Sequence, residues 1–208
     1  DIPMMSNIPN LVYLAPTTYE EYIAMLDWST EQREHPVAIR VPGAVIQGEK
    51  PTKDYGILNK YETVQKGSGA AIIALGTFFG MGKQAAELIE KKTGVKPTLI
   101  DPVYITGIDE ELLESLKKDH KAVVTLEDGI LDGGFGEKIA RFYGDSDMRT
   151  VNFGLKKEFL DRYDANEVLR QNGITPEQIA DRAATLVDTV FPIYYICLLY
   201  TSPSPRDS

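Results

Sequence analysis

Cysteine is nearly missing from this chain: one residue of that type occurs, Cys197, close to the end. No internal disulfide framework can form, and that scarcity points to a cytoplasmic setting. Histidine is almost as rare, with His35 and His120 only. Both fall at predicted element boundaries, where a solvated or capping role is the ordinary one, so no nucleophile–base pair is legible. Asp128 and Asp132 lie close together in a predicted loop, but the further oxygen ligands that Mg²⁺ or Ca²⁺ requires are not beside them. Runs of Lys or Arg are also lacking, and the formal net charge is −9, which argues against nucleic acid as a partner. The apolar run from Val190 to Tyr200 is broken by Pro192 and is shorter than the roughly 20 residues of a membrane-spanning helix, so no membrane partner is expected.

The two ends invite caution for different reasons. Cys197 to Asp207 back-translates without gaps into a common sequencing adapter and is set aside as a scar, with residues 188–208 read as a read-through or adapter-derived tail. Arg206 and Asp207 cancel, so the acidic balance survives that trimming. At the start, Ile8 to Gly43 reads strand, helix, strand with no earlier strand to complete the sheet. The sequence is therefore expected to open partway through a domain.

Leu11 to Pro16 is a short apolar run closed by proline, as suits a buried parallel strand. Thr17 or Thr18 can cap the following helix, whose first turn carries Glu20 and Glu21 where the helix dipole favours carboxylates. Val37 to Val41 is the next strand, ended by Pro42-Gly43. From there to Gly69 the pattern loses periodicity and collects Gly, Pro, Lys and Asp, which marks an interdomain crossing. Ala70 to Gly76 then reads as a buried strand, Phe78 to Lys92 as a helix ended by Gly94, and Pro97 to Asp101 as a strand. A capped helix from Asp109 to Lys118, a strand from Ala122 to Leu126, a helix opening near Gly134 and a strand from Thr150 to Phe153 follow. Helices at Ala165 to Gln171 and Thr175 to Val187 close the pattern, the last with Pro176 at its first position. Alternation of this kind predicts an α/β fold with a mostly parallel sheet covered on both faces.

Arg40 is the one charge inside the second strand, two residues from its end. It can be an edge-strand arginine that reaches solvent or pairs with a carboxylate. It can also be a ligand group, because open α/β sheets bind ligands beyond the carboxyl ends of their strands and a guanidinium offers a planar, permanently charged fork for phosphate. Gly76-Thr77-Phe78-Phe79-Gly80-Met81-Gly82 follows a strand but matches neither the dinucleotide fingerprint nor a P-loop, so close helix-to-sheet packing is its expected role. Gly133-Gly134-Phe135-Gly136 bridges a strand and a helix start, where amides can hold an anion, although Glu127 and Asp128 just before it disfavour a small-anion site. Phe78, Phe79, Phe135, Phe142 and Tyr143 are expected in the core or an interface.

Several stretches, in order, resemble the transketolase superfamily. Ile8 to Pro16 and Pro36 to Arg40 are similar to the end of its pyrimidine-binding domain. Thr98 to Pro102, Glu127-Asp128 with Gly133 to Gly136, and Val151 to Leu155 are similar to its C-terminal domain. Within that superfamily the Ile-Pro-Asn start and the Asn-x-Gly-Leu segment resemble the 1-deoxy-D-xylulose-5-phosphate synthase family. The resemblance implies residues 1–43 as the end of an αβ pyrimidine-binding domain, 44–69 as a linker and 70–187 as an αβα transketolase C-terminal domain.

The resemblance further implies a homodimeric, cytoplasmic transferase that uses thiamine diphosphate and Mg²⁺ to join pyruvate to glyceraldehyde 3-phosphate. The family's Gly-Asp-Gly…Asn motif and its activating glutamate are not in this sequence, so the fragment is expected to be inert alone, with no catalytic, cofactor-binding or metal residue. The family's phosphate-gripping arginine maps onto Arg40. Relatives often read Arg-Tyr-Pro-Arg-Gly there, whereas this chain has Arg40-Val41-Pro42-Gly43 and lacks the second arginine. After Gly154-Leu155 it also has Lys156-Lys157 where many relatives place Pro-Asp.

Overall fold

In the computed structural model, residues 1–187 are described apart from 42, 44, 45 and 50. The expectations about a read-through or adapter tail at 188–208 lie outside the described residues.

The chain opens with a short helix, α1 (Ile2–Met5), which the sequence pattern did not announce. Strand β1 (Val12–Leu14), helix α2 (Tyr19–Glu31) and strand β2 (Val37–Ile39) follow. Thr18 caps α2 by accepting from the Glu21 amide at 3.2 Å. The two strands pair in parallel, Val12 opposite Val37, and the Arg40 amide extends the ladder by donating to the Leu14 carbonyl at 2.8 Å.

The second sheet has five strands in the order β3-β5-β4-β6-β7. These are β3 (Glu62–Gln65), β4 (Gly69–Ala74), β5 (Thr98–Asp101), β6 (His120–Ile130) and β7 (Arg149–Leu155). All pairings are parallel except β3 with β5. Strand β3 lies inside the segment expected to be a structureless crossing. It is an edge strand whose residues alternate between exposed and half-buried, so its apolar content is too low to announce it.

Five helices belong to this unit: α3 (Phe79–Thr93), α4 (Glu110–Leu116), α5 (Phe135–Phe142), α6 (Ala165–Gln171) and α7 (Pro176–Val187). Successive side chains of β4 point to opposite faces, and the core divides accordingly. Ala71, Ile73 and Leu75 pack with Leu113 and Leu116 of α4 and with Phe135, Ile139 and Tyr143 of α5. Ile72 and Ala74 pack with Ala85, Ala86 and Ile89 of α3 and with Ile179, Ala180 and Ala183 of α7. Each fully buried isoleucine contributes about 1.5–3 kcal/mol relative to exposure. The result is the three-layer arrangement that the alternating pattern implied.

Gly82 lets α3 approach the sheet: a Cβ there would lie 2.6 Å from the Ala74 Cβ. This agrees with the packing role expected for the Gly76 to Gly82 cluster. Phe78, Phe135 and Tyr143 are buried, as expected of core aromatics.

The two units are laced together by backbone. The Ala15 amide donates to the Val103 carbonyl at 2.8 Å and the Ile105 amide to the Tyr13 carbonyl at 2.7 Å. Segment 103–105 thereby lies along the free edge of β1. Val103 takes a positive φ of 60°, a costly conformation for a β-branched residue, and its amide is held by Asp101 Oδ1 at 3.0 Å.

Candidate functional site at the interdomain junction

Arg40 leaves the carboxyl end of β2 and reaches the carboxyl end of β6, so the two sheets present their ligand-favouring ends to one another. Its Nε donates to Asp1 Oδ2 at 2.7 Å, one terminal nitrogen donates to Asp128 Oδ1, and the other donates to the Asp128 carbonyl at 3.3 Å. Tyr13 donates its hydroxyl to the same Asp1 oxygen at 2.8 Å, and Thr77 donates to Asp128 Oδ2 at 2.9 Å. Burial pushes the Tyr13 phenol up, and the nearby Arg40 charge partly offsets this. The Arg40 side chain remains 23% exposed.

Carboxylate pairing is thus what the structure places on Arg40, the first of its two sequence readings. A guanidinium has five N–H donors, and three are engaged. Each terminal nitrogen carries a second N–H beyond the bond it makes to Asp128. The side chains of Arg40, Asp1 and Asp128 sum to one net negative charge, so these side chains alone do not attract an anion.

Glu127 precedes Asp128 and is fully buried. Its two oxygens accept the amides of Phe135 and Gly136, each at 2.8 Å. It caps α5 from a neighbouring strand, where Gly134 leaves the space: a Cβ at that position would lie 2.6 Å from both carboxylate oxygens. Burial raises the Glu127 carboxyl above its ordinary range, and the two amides pull it back. An internal carboxylate therefore holds the amides at the start of α5, the donors a helix N-terminus offers to an anion.

A second polar cluster lies where the crossing passes the first unit. Lys53 Nζ contacts Glu21 Oε1 and Glu62 Oε2, each at 2.7 Å, and Asp101 Oδ2 at 3.6 Å. Glu21 also accepts the Thr17 amide and hydroxyl at 2.7 and 2.9 Å. Burial, with Glu21 nearby, pushes Asp101 up to about 8 against the pull of Lys53. One ammonium cannot neutralise three carboxylates, so Asp101, the farthest of the three, keeps its proton near neutrality. The cluster borders a cleft of about 710 Å³ with Thr17, Thr18 and Phe79 on its walls. No periodic pattern signalled it, because its members come from α2, the crossing, β3 and β5.

His120 takes the capping one of the two roles expected of it, not the solvated one, since its ring meets the carbonyl of Leu116, the last residue of α4. It is buried at the start of β6, with Nε2 2.8 Å from Thr98 Oγ1 and Nδ1 3.1 Å from the Leu116 carbonyl. His35 is half-buried and lies far along the chain from it. Among the described residues no group of three or more His, Cys, Asp or Glu could hold a metal ion. Glu127 already engages the Phe135 and Gly136 amides of α5, so among the described residues these two donors are spent internally. No helix among them is long and apolar enough to cross a membrane.

A parallel sheet with one antiparallel edge, helices on both faces and a preceding αβ unit joined carboxyl end to carboxyl end define a transketolase-type C-terminal unit. The family profile described as "Transketolase, C-terminal domain" matches residues 59–179, and the chain belongs to that family. Over 190 residues the chain is 30% identical to 1-deoxy-D-xylulose-5-phosphate synthase of Clostridium tetani, covering 90% of this chain and 30% of that one. The synthase of Clostridium perfringens is 32% identical over 193 residues with the same coverage. The chain thus spans about 30% of the length of these curated relatives.

Among solved structures, a split-gene transketolase described as an inactive beta4 tetramer superposes with a TM-score of 0.76 at 23% identity, covering 89% of this chain and 61% of that one. A transketolase mutant from Pichia stipitis gives 0.66 at 19% identity, covering 88% and 26%. At these identities the likeness concerns the fold.

Proposed function

We propose that this chain is the rear portion of a thiamine diphosphate-dependent transferase that condenses pyruvate with glyceraldehyde 3-phosphate, releasing carbon dioxide and forming 1-deoxy-D-xylulose 5-phosphate. The observation that carries this reading is the similarity to deoxyxylulose phosphate synthases along 90% of the chain. In it, residues 1–43 end the pyrimidine-binding domain, 44–69 form the crossing that lends β3 to the second sheet, and 70–187 are the C-terminal domain. The enzyme is a cytoplasmic homodimer, and its cofactor and Mg²⁺ are seated by residues outside this chain.

Arg40 is the substrate-phosphate ligand of the proposal, through the second N–H of each terminal nitrogen. The local charge deficit makes the missing second arginine meaningful: compensating cations come from the cofactor-bearing portion. On this reading the cofactor is held by residues outside this chain, and the isolated chain is catalytically inert.

Extending the reading frame upstream and assaying the longer product tests this. Turnover of pyruvate with glyceraldehyde 3-phosphate, and none with ketose phosphate donors, supports the synthase. The reverse preference identifies a transketolase, and activity only with 2-oxoacid dehydrogenase partners identifies a β-type subunit. The likeness to a split-gene transketolase favours a second reading, a noncatalytic subunit that builds a subunit surface. A native start codon near Asp1 supports it.

A further inference from the structure

The proposed role of Arg40 leaves unexplained why a residue of the other unit, Asp128, grips it at two points. We propose that Asp128, held by Thr77, is the positioning residue for Arg40, so that the C-terminal unit aims a phosphate-binding group carried by the preceding one. This rests on the phosphate reading of Arg40.

The backbone of β6 is shaped for the task. Leu126 pairs with Phe153 and Ile130 with Leu155, so residues 126–130 face only residues 153–155. The surplus makes a bulge over Glu127 to Gly129, and bulges re-aim side chains at the ends of sheets. Glu127 turns inward to cap α5 while Asp128 turns toward Arg40.

Asp128 then holds the fork at two points, one terminal nitrogen by its carboxylate and the other by its carbonyl. Thr77 fixes the remaining carboxylate oxygen at 2.9 Å. Thr77 is itself set by a tight turn, Gly76–Phe78, whose Leu75 amide donates to the Leu126 carbonyl at 2.9 Å. Arginine carries several rotatable bonds, and a two-point grip removes the freedom that a single exposed ion pair would leave. The second N–H groups of the two terminal nitrogens are thereby directed as a pair.

The first arm of the test uses the 208-residue chain and nitrogen-15 NMR of the guanidinium groups. Hindered rotation should give Arg40 two distinct terminal-nitrogen signals in the wild type, merged in Asp128→Asn, partly merged in Thr77→Val and distinct again in Thr77→Ser. Unchanged signals in Asp128→Asn and Thr77→Val overturn the proposal. In the upstream-extended protein, Asp128→Asn should raise the KM for glyceraldehyde 3-phosphate roughly five-fold, the scale of one lost hydrogen bond, and leave the KM for pyruvate unchanged. If Arg40→Ala raises that KM and neither Asp128→Asn nor Thr77→Val does, positioning is refuted and the phosphate reading stands. If Arg40→Ala leaves it unchanged, the phosphate reading fails, and the NMR arm alone decides whether Asp128 orients Arg40.

Discussion

Replacing Lys53 by methionine tests whether the polar cluster at the crossing holds the two units together. The stem of Lys53 keeps its volume in the variant, but Glu21 and Asp101, each with side chains only 5% exposed, lose their cation. Breaking a buried ion pair by removing one member costs about 3–5 kcal/mol. The lower figure applies, because Lys53 is 22% exposed and Asp101 can hold a proton. A loss of about 3 kcal/mol corresponds to roughly 6–12 °C for a chain of this size. Urea unfolding followed by circular dichroism at pH 7.5 measures it, with Glu62→Gln as the control. Glu62 is 52% exposed, and its variant should stay within about 1 kcal/mol of wild type. The loss in Lys53→Met should shrink at pH 5, where the stranded carboxylates take up protons. A loss below about 1 kcal/mol at pH 7.5 would reduce the cluster to a set of surface pairs and refute the reasoning.

Asp101 gives a signed pH test. Its folded value of about 8 lies above the ordinary 3.8, so the fold holds this proton more tightly than the unfolded chain does. The stabilisation is fully present below about pH 4 and is lost as pH rises toward 8. Asp101→Asn should therefore gain on wild type in urea midpoint between pH 5 and pH 8.5; a constant difference contradicts the shift. Glu127→Ala strips the cap from α5 and should cost about 3 kcal/mol, from two charged hydrogen bonds and lost packing, with faster amide exchange at Phe135 and Gly136. Gly82→Val should cost about 1–3 kcal/mol by overpacking against Ala74, read as a lowered melting temperature. In the extended protein Arg40→Ala should lose about 1.5–3 kcal/mol of phosphate interaction, seen in KM or kcat/KM for the aldehyde phosphate.

Parallel strands were legible because burial on both faces demands uninterrupted apolar runs such as Ala70 to Leu75. Two helices announced themselves through caps: Thr18 and Asp109 each accept an amide from the first turn. Strand β3 escaped because an exposed edge needs no such run, and α1 because four residues carry no periodicity. The position of Arg40 near a strand end could be read locally. Its partners could not, since Asp1 and Asp128 lie 39 and 88 residues away and only the facing of two sheet ends brings them together. The boundary position of His120 suggested a solvated or capping role, and the structure shows the capping one, with the ring on the Leu116 carbonyl at the end of α4; its burial against Thr98 depends on a strand 22 residues away and could not be read locally.

The central claim is tested most directly by measuring carbon dioxide release from carboxyl-labelled pyruvate, with and without glyceraldehyde 3-phosphate, for the 208-residue chain and its upstream-extended form. The extended protein should release label in an aldehyde-dependent manner when thiamine diphosphate and Mg²⁺ are supplied, and the shorter chain should release none. Turnover by the shorter chain alone would contradict the account.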